Sequence, residues 1–473
     1  MEIKVTKGDV LSGYIAQIFQ YGSGIIVLPV ILNRLSPEEI GMNYVILSVG
    51  AMVNMADFGF SGLIGRNITY VLSGAQQIYR GQIEHAEESK QINYHLLKVI
   101  IDASRYLFNR LSIACFFLML TLGTLYMHYV TEGFTNVNNS FSIWLLFSLS
   151  VYFNLFFMYY DSLLRGAALM KEQRLAVIFS RSVYIIICFV MIYLGYGLIS
   201  VVIANLVAPF ISRYYSYKKF FSSEMKYNLP KEKSGKAEIH QAISDIWFTA
   251  KKSGTNTIGH YVATNGGVFI AGLYLPLAIT AQWGLMTQLF NVVRAVAMNL
   301  TMTYYPEYCK LRLQNDRDSL IGRSSFATMS MVMILLVGGL IIIMAGGWLL
   351  QMIQSRTYLP SVSLILVYLL FVIIQSNAQS FAMLMTTRNV VPSPKAVLTT
   401  SVLQIVLTVL FLVFSDIGMW ALLIGPFTCG MAYTLWAWMK IELDNLEISA
   451  INFYARGCVE IFNMTRRVLI GCK

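Results

Sequence analysis

The sequence predicts an all-α polytopic membrane protein, and three observations carry that prediction. Apolar residues make up 56% of the 473 residues, charged residues only 12%, and the mean hydropathy is +0.61. The apolar residues form about twelve stretches of roughly 20 residues, the length at which a helix crosses a bilayer. The basic residues lie almost entirely on one side of the resulting membrane map. Helices are expected because lipid offers the backbone no hydrogen-bond partners.

The predicted spans fall into two halves of six helices. They are 10–33, 40–60, 106–128, 141–163, 176–195, 198–217, 250–273, 279–302, 326–348, 361–386, 396–415 and 419–440. The predicted domains are an N-terminal bundle (1–217), a cytoplasmic linker (218–249), a C-terminal bundle (250–440) and a cytoplasmic tail (441–473). A faint internal repeat relates residues 28–47 to residues 271–290 and supports two halves in the same orientation. The tail is expected to lie on the inner membrane surface or to be disordered.

The distribution of Lys and Arg predicts the orientation in the membrane. Of the 35 basic residues, 32 lie on one side of the map, Arg34 and Arg356 lie on the other, and Arg294 lies inside a span. Because basic segments stay cytoplasmic during insertion, both termini are predicted to be inside. The net charge of +11 is spread over short loops, so it indicates topology and contact with membrane lipids rather than a nucleic-acid partner. The six cysteines include no CxxC pair, so no metal site, and no other cofactor, is expected.

Arg294 is the strongest candidate for a functional residue. Counting from the outer end of span eight places it in the inner half of the bilayer, where an ionisable side chain is costly. One interpretation is a fixed cation in a central cavity, which would bind an anionic substrate such as a phosphate. The alternative is an arginine that reaches the cytoplasmic headgroups or pairs structurally with a carboxylate.

The start of span seven offers a second group of polar residues. Lys251 and Lys252 lie near its inner end, and Asn256 and His260, four residues apart, share a helix face above them. This face is a candidate substrate site, with His260 as a candidate proton site because its ordinary pKa is near neutrality. The lysines are equally typical of ordinary positive-inside anchors, and the histidine of a hydrogen bond between helices.

Further charged residues lie near predicted span ends. Asp57, nine residues before Arg66, is a candidate for ion coupling, for pairing with a cavity arginine, or for capping the inner end of a helix. Asp161 is a candidate coupling residue, although its i,i+4 spacing to Arg165 is typical of a structural pair. Arg181 lies about one turn inside span five and is a candidate substrate-binding residue.

Span ten carries a polar face. Its members are Gln375, Asn377, Gln379 and Ser380. These side chains are candidates either for binding sugar hydroxyls or for hydrogen bonds to neighbouring helices.

Two segments resemble a known transporter family. The stretches LNRLSPEEIGMNYVILS (32–48) and NMADFGFSGLIGRN (54–67) are similar to the polysaccharide-transporter branch of the multidrug/oligosaccharidyl-lipid/polysaccharide (MOP) flippase superfamily. In that branch the first helix commonly ends in L-x-P-E-E-x-G and the second in D-x-G. The segment through Tyr304, Tyr305 and Pro306 also resembles it, and the nearest likeness is to Wzx-type O-antigen and capsule repeat-unit flippases.

The resemblance implies a V-shaped pair of six-helix bundles around a cationic cavity. It further implies that the protein moves an undecaprenyl-diphosphate-linked oligosaccharide across the bacterial inner membrane by alternating access, driven by a proton or sodium gradient. Other polysaccharide-assembly proteins are expected as partners. The family uses cavity Arg and Lys residues to hold the diphosphate. Arg294 matches that role best, and Lys251, Lys252, Arg66 and Arg181 match it less closely.

Two other functions are weighed against this one. A multidrug cation antiporter of the same superfamily would need a carboxylate in its cavity, whereas the deepest charge here is Arg294. A membrane polysaccharide polymerase or glycosyltransferase would need a sizeable outward loop for its catalytic residues. Every predicted outward loop has about a dozen residues or fewer, so we expect a transporter and not an enzyme.

Overall fold

The described residues form helices connected by turns and short loops. The computed structural model describes residues 24, 26–77, 91–232, 234–388, 390 and 392–470, and every regular element within these ranges is helical. The chain divides into two compact units, unit 1 (Met1–Tyr261) and unit 2 (Val262–Lys473). The all-α polytopic fold predicted from the sequence is therefore confirmed.

Unit 1 contains nine described helices and the first part of a tenth. They are α1 (26–34), α2 (Pro37–Asn54), α3 (Phe60–Leu72), α4 (Tyr94–Leu118), α5 (Thr124–Val130), α6 (Ser140–Gly166), α7 (Met170–Tyr193), α8 (Ile199–Phe220), α9 (Ser223–Asn228) and the beginning of α10 (Lys236–Tyr274). A π-helical turn, Met119–Gly123, joins α4 to α5 without a break. Helix α6 lies centrally, because it packs against α2, α3, α4, α7 and α8.

Unit 2 contains the end of α10 and seven further helices. They are α11 (Leu277–Leu313), α12 (Arg317–Met352), α13 (Val362–Thr386), α14 (Pro394–Phe414), α15 (Ala421–Ala432), α16 (Ala437–Asn445) and α17 (Ala450–Ile470). Helix α12 packs against α11, α13 and α17, and its core side chains include Met331 and Leu335.

Nine segments of the described residues are long and apolar enough to cross a membrane. The protein is therefore a multi-pass membrane protein. Helices α10 and α11, which correspond to predicted spans seven and eight, are not among the nine. They have 39 and 37 residues. At about 1.5 Å per residue each is well over 50 Å long, more than a hydrocarbon core of about 30 Å requires. The total of twelve spans and their orientation stay predictions.

Predicted span two is interrupted near its inner end. Helix α2 ends at Asn54, and a short 3₁₀ turn (Met55–Asp57) leads to Phe58 and Gly59, which both have left-handed backbone conformations, with φ of +46° and +79°. Two consecutive left-handed residues end a right-handed helix, so α3 begins anew at Phe60. Hydropathy alone does not detect such a break because the apolar character continues through it.

The segment predicted as a linker, 218–249, is largely helical. It contains the end of α8, all of α9 and the first residues of α10. Phe220, Leu229 and Ile246 lie in the main core of unit 1. Burial of these side chains attaches the segment to the bundle, since burying a large apolar side chain contributes about 1.5–3 kcal/mol.

The tail segment 441–473 is helical over most of its described length. Helix α17 packs on α12 with Phe453 fully buried. A Cβ at Gly457 would lie 2.6 Å from the backbone oxygen of Ser325, so the two helices approach at van der Waals distance. Arg456 also donates to Asp318 at 3.0 Å. Of the two expectations for the tail, disorder is therefore not what the described residues 441–470 show.

Candidate functional site

Arg294 lies on α11 and is held by two glutamines of α13. Its Nη1 donates to Oε1 of Gln375 at 2.8 Å and its Nη2 donates to Oε1 of Gln379 at 2.6 Å. The glutamines are four residues apart and so lie on one face of α13, one turn from each other. Among the residues whose side chains are described, no carboxylate lies within ion-pairing distance of this guanidinium. The glutamines therefore fix the guanidinium without neutralising it.

Aromatic rings pack beside this arrangement. Tyr368, two turns before Gln375 on α13, contacts Phe290 of α11 with ring centroids 5.1 Å apart and Trp283 with centroids 5.5 Å apart. Phe290 and Trp283 are almost completely buried. The rings fix the spacing between α11 and α13, and with it the position of Arg294 between its two glutamines.

The predicted polar face of span ten is used between helices. Gln375 and Gln379 bind Arg294, Asn377 accepts a hydrogen bond from the hydroxyl of Tyr454 at 2.8 Å, and Ser380 is hydrogen-bonded to Thr328 at 3.2 Å. Of the two interpretations of this face, the contacts favour bonds to neighbouring helices.

The polar face predicted at the start of span seven lies on α10. Lys251, Lys252, Asn256 and His260 all belong to this helix, so the spacing that places Asn256 one turn before His260 holds. Their side chains lie outside the described residues. The substrate-binding and proton-coupling roles of these four residues stay predictions.

Unit 1 contains a polar cavity between α2, α6, α7 and α8. Its volume is about 560 Å³. The charged residues in its wall are Asp161 and Arg165 of α6, Arg181 of α7 and Arg213 of α8. Three arginines face one aspartate there, so the wall carries a positive charge. We call this cavity the unit 1 cavity.

Asp161 is fully engaged in the wall of the unit 1 cavity. Its Oδ2 forms an ion pair with Nη2 of Arg165 at 2.8 Å. Its Oδ1 accepts a hydrogen bond from the side-chain amide of Gln173 at 2.5 Å. The predicted i,i+4 pair is therefore present, with Gln173 as a third member that sequence reasoning missed. The role of Asp161 in ion coupling stays a prediction.

Arg181 lies in the wall of the unit 1 cavity, partly buried between α7 and α8. Within the part of the chain that the structure describes, its guanidinium makes no hydrogen bond and no ion pair. Arg213 lies over the ring of Phe157, 4.8 Å from its centroid, and this cation–π contact is also made without a carboxylate. Arg213 was missed in the sequence because it was counted with the basic residues of segment 213–252 on the predicted cytoplasmic side.

Asp57 and Arg66 lie in the region where α2 passes into α3. The carboxylate of Asp57 accepts hydrogen bonds from the backbone N–H and the hydroxyl of Ser61, at 3.0 and 2.6 Å. It thus satisfies a donor of the first turn of α3, as a capping residue does. Arg66 is exposed and lies over the ring of Tyr70 at 5.9 Å. Neither residue lines the unit 1 cavity, and their predicted roles in transport stay predictions.

No family model matches the sequence. No curated protein matches it either. Solved structures do match the fold, at low sequence identity.

Three matching structures are transporters. An inward-facing multidrug resistance MATE family transporter of the MOP superfamily has a TM-score of 0.68 at 13% identity, over 93% of this chain and 99% of that one. The lipid II flippase MurJ, in an inward closed conformation, has a TM-score of 0.61 at 13% identity, over 97% of this chain and 93% of that one. A MOP superfamily transporter from Pyrococcus furiosus has a TM-score of 0.50 at 13% identity, over 94% and 100%. The chain therefore has the fold of these MOP superfamily transporters and of MurJ.

Proposed function

We propose that this protein is a flippase that moves an undecaprenyl-diphosphate-linked oligosaccharide repeat unit across the bacterial inner membrane by alternating access. Its fold is that of transporters, and one of them, MurJ, is a lipid II flippase. A proton or sodium gradient is proposed as the energy source. Other polysaccharide-assembly proteins are proposed as partners.

The observation that carries this proposal is the guanidinium of Arg294 between two neutral amides. Taking a cation out of water costs several kcal/mol unless it is paired and hydrogen-bonded. Gln375 and Gln379 supply the hydrogen bonds, but the positive charge is left for a ligand. A diphosphate offers the oxyanions that a planar guanidinium binds best.

A multidrug cation antiporter of the same superfamily is the second candidate, because one matching structure is a multidrug resistance transporter. Such a protein needs an available carboxylate to attract a cation. The two carboxylates predicted for ion coupling, Asp57 and Asp161, are already bound by Ser61 and by Arg165 with Gln173. The deep arginine therefore favours an anionic substrate over a cationic drug.

Replacement of Arg294 tests the proposal. In a bacterial strain lacking its own repeat-unit flippase, Arg294→Gln should lower export of the oligosaccharide to the surface by at least about tenfold, because one charge-assisted contact is worth about 1.5–3 kcal/mol. Arg294→Lys should restore part of the export, since it keeps the positive charge but lacks the planar guanidinium that makes two parallel hydrogen bonds. Surface oligosaccharide and the amount of protein in the membrane are measured together.

Arg356→Gln is the matched control. Arg356 is an exposed arginine in the connection between α12 and α13, outside the predicted spans, so export should be unchanged. Full export by Arg294→Gln at normal abundance would contradict the proposal. Loss of tolerance to cationic drugs in a deletion strain, with export intact, would favour the antiporter.

A further inference from the structure

The wall of the unit 1 cavity consists of residues of unit 1, whereas Arg294 belongs to unit 2. At about 560 Å³ it is within the range of about 300–1,000 Å³ that small-molecule sites occupy. It is large enough for a sugar unit and is lined by four helices of one unit. The flippase proposal rests on Arg294 and does not explain what this cavity binds.

The charge of the unit 1 cavity is unbalanced. Asp161 neutralises Arg165, because the two form an ion pair at 2.8 Å, and Gln173 occupies its other oxygen. Within the described residues, Arg181 has no hydrogen-bond or ion-pair partner, and Arg213 lies over the ring of Phe157 without an ion-pair partner. Two guanidinium groups therefore stay unneutralised in the wall, and the ligand that would neutralise them is an anion.

Part of the remaining wall has the character of a carbohydrate site. It combines side-chain amides and hydroxyls with aromatic rings, namely Asn54, Asn154, Asn205, Ser212, Phe157 and Tyr160. Amides and hydroxyls donate to and accept from sugar hydroxyls, and aromatic faces pack on the apolar faces of a sugar ring. Inorganic anions alone would leave most of these groups without a function.

We propose that the unit 1 cavity binds a sugar that carries an oxyanion, either a carboxylate or a phosphate, and that Arg181 contacts that oxyanion. Arg213 adds a second positive charge, and the Asp161–Arg165–Gln173 cluster fixes the cavity wall. The inference deepens the proposed function and rests on it in one respect, since the acidic sugar would be part of the transported oligosaccharide.

Direct binding to the purified protein in lipid nanodiscs tests this inference. The charged probes are glucuronate, which carries a carboxylate, and glucose 6-phosphate, which carries a phosphate. Glucose, which has no anionic group, and inorganic phosphate, which has no sugar, are the comparison ligands. At least one of the charged sugars should bind about tenfold more tightly than glucose and than inorganic phosphate in isothermal titration. Arg181→Gln should weaken that binding about tenfold or more, the loss expected when a charge-assisted hydrogen bond is removed.

Arg110→Gln is the matched control in the same unit. Arg110 is exposed, lies over the ring of Tyr106 at 5.2 Å, and is not in the wall of the unit 1 cavity, so binding should be unchanged. Circular dichroism and gel filtration identify a variant that fails to fold. In that case Arg213→Gln, an exposed position, replaces Arg181→Gln and should also weaken binding.

Three results would overturn the inference: equal affinity for glucose and the charged sugars, inorganic phosphate binding as tightly as glucose 6-phosphate, or full binding by folded Arg181→Gln. Arg294→Gln separates the two proposals. It should lower export at least about tenfold yet leave sugar binding unchanged, because Arg294 is not in the wall of the unit 1 cavity. If Arg294→Gln loses export but the wild type binds no sugar, only the cavity site is refuted. If the wild type binds the sugar but exports no oligosaccharide, only the flippase proposal is refuted.

Discussion

Glu39, at the predicted outer end of unit 1, is hydrogen-bonded both to Ser36 at the start of its own helix and to Leu198 at the start of α8. Its carboxylate accepts from the N–H of Ser36, whose hydroxyl accepts from the N–H of Glu39, so the two residues form a capping box at the start of α2. The same carboxylate accepts from the N–H of Leu198 at 3.2 Å, in the turn between α7 and α8. Gly197 allows this approach, because a Cβ there would lie 2.7 Å from Oε1 of Glu39.

Gly197→Ala should therefore lower the thermal stability of the protein in detergent. Gly197 has a left-handed backbone with φ of +58°, which costs roughly 1–2 kcal/mol for alanine, and the added methyl group would also displace Glu39 from Leu198. Gly195→Ala is the control, since Gly195 has φ of +87° but no atom within 4 Å of its Cβ position. Melting followed by circular dichroism should give the larger decrease for Gly197→Ala, and equal decreases would contradict the steric role of Glu39.

A single buried carboxylate connects the ends of three helices in unit 2. Glu442 of α16 is fully buried and forms ion pairs with Arg312 of α11 and with Arg388, just beyond the end of α13. Arg312 also donates to Asn445 at 3.1 Å. Partial burial lowers the pKa of Arg312, as does the neighbouring charge of Arg388, and the carboxylate between the two arginines offsets that repulsion. Helix α16 is thus attached to α11 and α13 by charge as well as by packing.

Glu442→Gln should destabilise unit 2 by about 3 kcal/mol, because removing one partner of a buried ion pair leaves the other charges uncompensated. Glu447→Gln is the control: Glu447 pairs with Arg317, and their side chains are 76% and 44% exposed. An exposed pair of this kind contributes less than about 1 kcal/mol. Thermal unfolding in detergent should separate the two variants, and similar melting temperatures would show that Glu442 contributes no more than a surface pair.

At the scale of the whole molecule, the predicted orientation in the membrane rests on the one-sided distribution of basic residues. The structure supplies an exposed reporter position on each side of the predicted map. Tyr227 on α9 lies in the predicted cytoplasmic segment and is 89% exposed, and Tyr358 lies in a predicted outward connection and is 64% exposed. Both are aromatic residues of the same type, so the same substitution applies to each.

In a cysteine-free background, Tyr358→Cys should react with a membrane-impermeant maleimide added to spheroplasts, whereas Tyr227→Cys should react only after the membrane is opened with detergent. The reason is that positive charge keeps the segment around Tyr227 inside during insertion. Labelling is read by a shift in gel mobility. Reaction of Tyr227→Cys in sealed spheroplasts would reverse the predicted orientation.

The sequence predicted the apolar helices closely where lipid sets their length. The predicted span 361–386 corresponds to α13 (Val362–Thr386), and the predicted span 396–415 to α14 (Pro394–Phe414). It did not predict α9 or α17. Helix α9 has six residues, too few for a span, and α17 packs on α12, which is distant in the sequence.

The candidate sites were predictable in part for the same physical reason. Arg294 was identified from the sequence because an isolated charge among apolar residues is conspicuous. Its partners Gln375 and Gln379 lie 81 and 85 residues further along the chain, and nothing in their local pattern indicates which helix they contact. Arg213 was missed because a charge at the end of a helix looks like any other positive-inside residue.

The two hydrogen bonds from Arg294 to Gln375 and Gln379 have a consequence for how the proposed selectivity for an anion could change in evolution. Glutamine and glutamate codons differ by one base, and the two side chains have nearly the same shape. A single nucleotide change at either position would therefore put a carboxylate against Arg294 with the contacts kept, and would cancel its charge. The proposed preference for an anion is thus one mutation away from being lost, with little change in the fold.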